Sequence, residues 1–420
     1  MTTDFDVLIV GGGLVGSALA LALRETDLRI GMIEARPMLA NTDADYNERS
    51  VALSEGSCRI LRGLGVWDEV RENLMAIQTV HISERGRFGV TRLQASHYGL
   101  SGVGYVALNR HIGAVFAKRL EAQKNLTLMA PAELLSFQTQ PERVTVLVSL
   151  EGEEKTVTSR LLVAADGTGS RVREQLGIAV QRDDYGQVAV IANITPGKQH
   201  QGWAYERFTV GGPVALLPLP ENRCALVWTQ TPEQAAQTLA LDDDAFMRAL
   251  ERHFGYRLGR FEKAGTRQAF PLALLRAERM TAQRSVVIGN AAHTLHPIAG
   301  QGLNLALRDV ADLAEILVTA ADVGQTDVLE RFETVRRADV DQTILFTDGL
   351  LKLFTNPSTL LAHARGAALA LMDRLPPLRN VMARQGMGVG SSRSRLARGL
   401  SASGRCPGQS SQIKTHGEQA

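Results

Sequence analysis

Residues 289–304, GNAAHTLHPIAGQGLN, follow the apolar run SVVIG and precede LNLALRDVADLAEIL, whose apolar residues recur at helical spacing. A strand, a glycine-rich turn and a helix start are expected there. A helix end of this kind presents unsatisfied N–H donors and partial positive charge, which suit phosphate or the electron-rich edge of a flavin ring. A second such turn lies at the far end of the 420-residue chain, where the β-branched run Phe5–Val10 leads into glycines 11–16 and the helical pattern LVGSALALALRE. With a further strand at residues 29–33, this is a βαβ start. One dinucleotide site assembled from segments so far apart in sequence requires an α/β domain that the chain leaves and re-enters.

The N-terminal turn has four elements in register. Gly11, Gly13 and Gly16 form GxGxxG, and Glu34 closes the next strand 18 residues beyond Gly16. The glycines permit a tight turn and close approach of a pyrophosphate, and the Glu34 carboxylate accepts hydrogen bonds from a ribose diol. Its charge disfavours a 2′-phosphate, so FAD or NAD fits better than NADP. A third turn lies in LVAADGTGSRVRE, where a strand ends at Asp166 and Gly167 ahead of Ser170, Arg171 and Arg173. On local grounds Asp166 reads equally as a cap for the helix that begins near Ser170.

The net charge of +2, with basic residues scattered among acidic ones, excludes a nucleic-acid stripe and leaves small-molecule chemistry. Cys58, Cys224 and Cys406 are far apart with no CxxC spacing and no histidine cluster, so neither a disulfide framework nor a metal site is expected, and a reducing compartment fits. Asp4 and Asp6 before a short apolar run are unlike a secretory signal. No run approaches the roughly 20 apolar residues that span a bilayer, so the expectation is a cytoplasmic chain, at most peripheral at the inner membrane face. GxSxG is absent, and hydrolysis has little support.

Runs at 144–150 and 155–162 around EGEE predict a hairpin leading into LLVAAD. Between about residues 176 and 271 the short runs VAVIANI, AYERFTV, VALLPLP and RCALVWTQ predict an antiparallel sheet, flanked on both sides by nucleotide-type turns and hence inserted. The division expected is a nucleotide domain in three pieces (1–75, 101–175, 271–330), a substrate domain in two (76–100, 176–270), C-terminal helices (331–385) and a disordered Gly/Ser/Arg-rich tail (386–420). The helices ILFTDGLLKLF and LLAHARGAALALM are apolar on more than one side, which usually means packing against the body of the protein.

The three turns, in this order, resemble the signatures of the class A flavoprotein monooxygenases. ERSVALS (48–54), YGQVAVIANI (185–194), AYERFTVGGPVALLPL (204–219), FPLAL (270–274) and HPIAGQGLN narrow the resemblance to the ubiquinone-biosynthesis hydroxylases, over about residues 4–385. It implies an α/β fold with a Rossmann-like, glutathione-reductase-like FAD domain and an inserted antiparallel substrate domain. It places Gly11, Gly13 and Gly16 at the FAD pyrophosphate, Glu34 at the adenosine ribose, and Arg49 and Arg110 near the ribityl and phosphate portion. Asp166 and Gly167 fall where the family binds FAD, and Gly289, Asn290, Pro297, Gly300, Gln301, Gly302, Leu303 and Asn304 fall at the ribityl chain and isoalloxazine. Asn290 departs from the family's aspartate, keeping an acceptor oxygen but losing charge.

The chemistry so implied is reduction of FAD by transiently bound NAD(P)H, reaction with O₂ to a C4a-hydroperoxyflavin, and hydroxylation of a polyprenylated phenol, with other ubiquinone-biosynthesis enzymes as possible partners. Tyr185, Glu206, Phe208 and Pro218 are candidates for the substrate pocket, although Glu206 and Arg207 read equally as a solvent-face ion pair. His293 and His296 invite an acid–base role, but a HisPro turn more often fixes a loop, so no catalytic residue is assigned. A flavin-dependent reductase of a prenylated substrate and, less favoured, a non-catalytic FAD-binding subunit remain as alternatives.

Overall fold

The computed structural model describes residues 2–37, 46–356, 358–389 and 392–404. Phe5–Val10 is buried at every residue and lies in the middle of a parallel sheet, as an apolar run without alternation should. Ile30–Ile33 pairs with it on one side and Glu153–Ala164 on the other, with Val7 opposite Ile30 and Leu161 respectively. Leu126–Met129 extends the sheet beyond Ile30–Ile33, and Ser285–Val287 lies parallel to Glu153–Ala164. Two strands far apart in sequence are thus neighbours, and the chain between them leaves this sheet and returns. Helices Leu14–Ala22 and Gln301–Val318 pack on each other, which brings the first and last glycine turns together.

The intervening chain builds a nine-stranded, mostly antiparallel sheet. Its edge is completed by Thr79–Glu84 and Val90–Gln94 from the first quarter of the chain, with Trp203–Phe208 running parallel to Thr79–Glu84. Alternation along these strands separates two faces. Val190, Tyr205, Leu216, Leu226 and Trp228 form a core with Phe246, Leu250 and Phe254 of helix Asp243–Phe254. Ala204, Glu206, Phe208, Ala215, Leu217 and Val227 line a cavity on the other side. A small sheet of Ser50–Ser54, Gly104–Leu108 and Met75–Ile77 adjoins that cavity.

Helices Thr326–Thr355, Thr359–Arg374 and Pro376–Gly386 follow, the first packed on Gln301–Val318 and the second on Val90–Gln94. Beyond them the expectation of a disordered tail fails over residues 392–404. Leu396 and Ala402 are buried, Arg395 N donates to Glu315 at 3.0 Å, and Ser401 Oγ donates to Glu25 at 2.6 Å. The turn Leu396–Arg398 docks on helix Glu55–Gly63, close enough that a Cβ on Gly63 would lie 2.7 Å from Leu396. Composition misleads here because two apolar residues suffice where a preformed groove receives them. Cys406 and the remaining tail lie outside the described residues, whereas Cys58 and Cys224 are buried free thiols.

Candidate active site

The N-terminal glycines divide into two kinds. A Cβ on Gly11, where φ is +105°, would sit 2.5 Å from Ala165 O, and one on Gly16 would sit 1.9 Å from Gly11 O. These two are needed by the protein's own packing. Gly13 has φ −65°, and a Cβ there meets nothing within 4 Å although the residue lines a cavity. Its missing side chain leaves room for a ligand. Gly13→Ala is therefore expected to keep the apoprotein's stability within about 1 kcal/mol of the wild type while FAD affinity falls sharply. Thermal unfolding of apoprotein and FAD fluorescence titration check the two halves, and unchanged FAD affinity would sink the placement.

Gly11, Glu34, Asp166 and Arg171 line a cavity of about 260 Å³. Glu34 Oε2 accepts from Gly12 N at 2.6 Å and Oε1 from Arg36 N at 2.9 Å, which ties the end of its strand to the glycine loop. The cap of helix Arg171–Gln175 is Ser170, whose Oγ accepts from Arg173 N at 3.0 Å. Asp166 contributes only a 3.4 Å contact from Val172 N, and its Oδ1 is buried without a partner. A buried carboxylate oxygen left unpaired is costly unless a ligand donor reaches it.

Across the same loops lies a second cavity of about 610 Å³. Gly13, Gly167, Asn290, Pro297, Gly300, Gly302, Leu303 and Asn304 form its nucleotide side, and Val80, Ile82, Ala204, Glu206, Phe208 and Leu217 its sheet side. Gly11 and Asp166 face one hollow while Gly13 and Gly167 face the other, so an extended dinucleotide passing over this loop fits with adenosine in the smaller hollow and its ring in the larger. The orphaned Asp166 oxygen, the open Gly13 and the two abutting hollows match FAD. A larger groove of about 970 Å³, on the face of the second sheet near Trp228 and His253, contains none of the nucleotide residues.

A buried charge network holds the 289–304 turn. Asp309 Oδ2 accepts from Gly289 N at 2.9 Å and His293 Nε2 at 2.7 Å, and its Oδ1 accepts from Arg336 Nε at 2.8 Å. Burial works against the Asp309 carboxylate, but His293 and Arg336 outweigh it and hold its pKa down at about 2. Arg336 also reaches Asp312 at 2.9 Å and Asp339 at 2.7 Å, and Arg308 reaches Asp339 at 2.7 Å. His293 is thus a structural anchor. His296 Nδ1 accepts from Ile298 N at 3.2 Å, its ring meets Tyr185 edge-on at 5.2 Å, and burial pushes its pKa down to about 4. His296 thus shapes the Pro297 turn as a neutral imidazole and is not among the residues lining the cavity.

Several expected site residues sit elsewhere. Gln301 is buried with Nε2 directed to Gly386 O at 3.3 Å, tying the helix start to the C-terminal helices and leaving the cavity wall to Gly300 and Gly302. Arg49 stacks on Phe270 at 4.6 Å, and Arg110 pairs with Glu48 at 2.5 Å, both outside the lining of the cavities. Pro218 shares the face of Leu216, so the cavity receives Leu217 instead, and Tyr185 supports His296 from behind. Asn304 lines the cavity yet spends its amide on protein, accepting from Ser54 N at 2.8 Å and Ser57 Oγ at 2.6 Å and donating to Ala52 O and Gly300 O.

Asn109 and, from the C-terminal helices, Phe346, Leu350, Met382 and Met387 complete the wall. The sequence signal for Phe346 and Leu350 is the all-round apolar character of ILFTDGLLKLF, whereas nothing in PPLRNVMARQG or its flank singles out Met382 and Met387. Asn290 is exposed on the cavity rim, where Asn290→Asp should preserve or tighten FAD binding by restoring a charged acceptor for a ribityl hydroxyl. A marked loss of affinity in a fluorescence titration would count against that contact.

The comparisons agree with this geometry. The FAD binding domain family matches residues 4–347. Ubiquinone hydroxylase UbiL of Rhodospirillum rubrum is 36% identical over 94% of this chain and 93% of its own length. The 3-demethoxyubiquinol 3-hydroxylase of Escherichia coli is 31% identical over 80% of this chain and 86% of its own. The fold matches p-nitrophenol 4-monooxygenase PnpA from Pseudomonas putida with a TM-score of 0.75 at 17% identity, covering 92% of this chain and 99% of that one. A split FAD cradle facing an apolar chamber, together with these relatives, makes the chain a member of the FAD-dependent hydroxylase family of ubiquinone biosynthesis, an aromatic monooxygenase.

Proposed function

We propose that this chain hydroxylates the ring of a polyprenylated phenol of the 2-octaprenyl-6-methoxyphenol type. The observation that carries the reading is the single cavity in which Pro297, Gly300 and Gly302 face a mainly apolar chamber closed by Phe346, Leu350 and Met382. An aromatic head with a greasy tail suits such walls, whereas a small anionic substrate calls for a fixed Arg or Lys, and none lines it among the described residues. FAD, when bound and reduced by NAD(P)H, supplies the activation of O₂ for the hydroxylation. The protein's part is to hold the ring against the Pro297–Gly302 turn and to keep water out with Ile82, Phe208 and Leu217.

The same reading puts the tail toward a bilayer on which the protein rests. No described helix is long and apolar enough to cross a membrane. Leu345 and Val381, 74% and 71% exposed, adjoin the cavity residues Phe346 and Met382 on their helices, which favours entry of the tail between those helices. The test is NAD(P)H-dependent oxygen uptake by FAD-loaded protein with prenylphenols presented in vesicles, and mass spectrometry of the product. A product heavier by one oxygen, formed in step with reductant, is expected; oxygen uptake that yields only hydrogen peroxide for every phenol offered would overturn the proposal.

A further inference from the structure

Glu206 is out of place by ordinary rules. On Trp203–Phe208 it stands opposite Ile82 on one neighbouring strand and Ala215 on the other, and Ala204 and Phe208 flank it on its own face. Among the described residues lining the large cavity it is the one Asp, Glu, His, Lys or Arg. It makes no hydrogen bond or ion pair with any described residue. Acidic groups on the neighbouring strand and on the helix that closes the chamber are already matched. Glu84, two residues along from Ile82 on the same face, is paired with Arg365 at 2.7 Å, and Asp348 of helix Thr326–Thr355 is paired with Lys352 at 2.7 Å. Arg207 points to the opposite face of its strand. An unpaired carboxyl in an apolar chamber opposes folding and is kept only where something else meets it.

We propose that Glu206 is the catalytic residue that receives the hydroxyl hydrogen of the phenol bound in this chamber. The inference rests on the phenol assigned above. As the ring carbon forms its bond to the terminal OH group derived from O₂, the O–O bond breaks, the second oxygen keeping the bonding pair and leaving as water once it takes up a proton from solvent, while electron density flows from the phenol oxygen to the ring. The O–H bond breaks and its proton passes to the Glu206 carboxylate, leaving a cyclohexadienone. Loss of the ring-carbon proton to solvent and return of the proton from Glu206 to oxygen restore the aromatic phenol, so one ring C–H has become C–OH and one proton is released. A base acts best when it titrates near the working pH, and desolvation in the chamber pushes the Glu206 pKa up to about 7. The carboxylate form is the acceptor, so activity is present above about pH 7 and lost as pH falls through it.

The test compares FAD-loaded wild type with Glu206→Gln, which keeps the shape and removes the titrating group. Binding of a prenylphenol and of its methyl ether is followed by the perturbation of flavin absorbance, well below and well above pH 7. Wild type should prefer the phenol by about tenfold or more at the higher pH, less at the lower, and Glu206→Gln should show no pH dependence of that preference. In turnover, kcat of Glu206→Gln should fall by about a hundredfold with a much smaller change in KM, and the rise of kcat near pH 7 should vanish. A wild type that binds phenol and ether alike, or a variant that keeps both the preference and the pH limb, overturns the assignment. A wild type that shows the binding preference but makes no hydroxylated product sinks the proposed reaction and leaves Glu206 as the phenol's acceptor. If Glu206→Gln fails to hold FAD, the pH dependence of wild-type binding alone decides.

Discussion

Arg336→Met is expected to destabilise the folded protein by about 3–5 kcal/mol, because it leaves buried carboxylates without their counter-charge. Arg336 is fully buried and bonds to Asp309, Asp312 and Asp339 at once. Methionine fills much the same volume, so the loss is one of charge and hydrogen bonds and not of packing. Burial already pushes the Asp312 pKa up even with Arg336 beside it. Without the guanidinium, each aspartate must take up a proton or draw in water, and either response unfastens Gly289 N from Asp309. FAD content should therefore fall along with the midpoint of urea unfolding. Arg336→Lys should recover little, since an ammonium on a flexible stem cannot reach three carboxylates in fixed directions. A loss of less than about 1 kcal/mol in Arg336→Met would show that the cluster is dispensable.

Gly16→Ala should abolish tight FAD binding. Its Cβ would sit 1.9 Å from Gly11 O and 3.2 Å from an Ile9 methyl, so helix Leu14–Ala22 must slide away from the strand that feeds it. The atom in the way is backbone, which cannot swing aside like a side chain. A shift on the order of 1 Å in a loop that positions a ligand costs about a hundredfold. Unlike Gly13→Ala, which fills only ligand space, Gly16→Ala should also lower the melting temperature of the apoprotein. Equal melting temperatures for wild type and Gly16→Ala would contradict the close approach of helix and loop.

The two glycine kinds also show how far local reading goes. Gly11, Gly13, Gly16 and Glu34 are recognisable as a unit because a strand, a turn and a helix start are local events governed by short-range sterics and hydrogen bonding. The same holds for Asp166–Gly167 and for the strand before Gly289. Pro218 and Leu217 are different: which of them faces the cavity depends on the register of Val214–Leu219 against its neighbours, and a slip of one residue exchanges the faces. Gln301 looked like part of a flavin loop by its neighbours, yet its amide reaches the carbonyl of Gly386, a partner 85 residues away. Arg49 and Arg110 are engaged by Phe270 and Glu48, contacts that no spacing rule displays.

By itself the sequence determined that this chain builds a split α/β nucleotide site with an inserted antiparallel sheet, because each piece is written in local periodicity and turn chemistry. Only the tertiary structure decided what that site can do. It sorted Gly13 from Gly11 and Gly16 by the space each one leaves, made His293 an anchor by burying it against Asp309, and closed the chamber with helices whose cavity face no periodicity picks out. It also set Glu206 alone among apolar side chains. A carboxylate's chemistry depends on what surrounds it, and those surroundings come from strands and helices that meet only when the chain has folded.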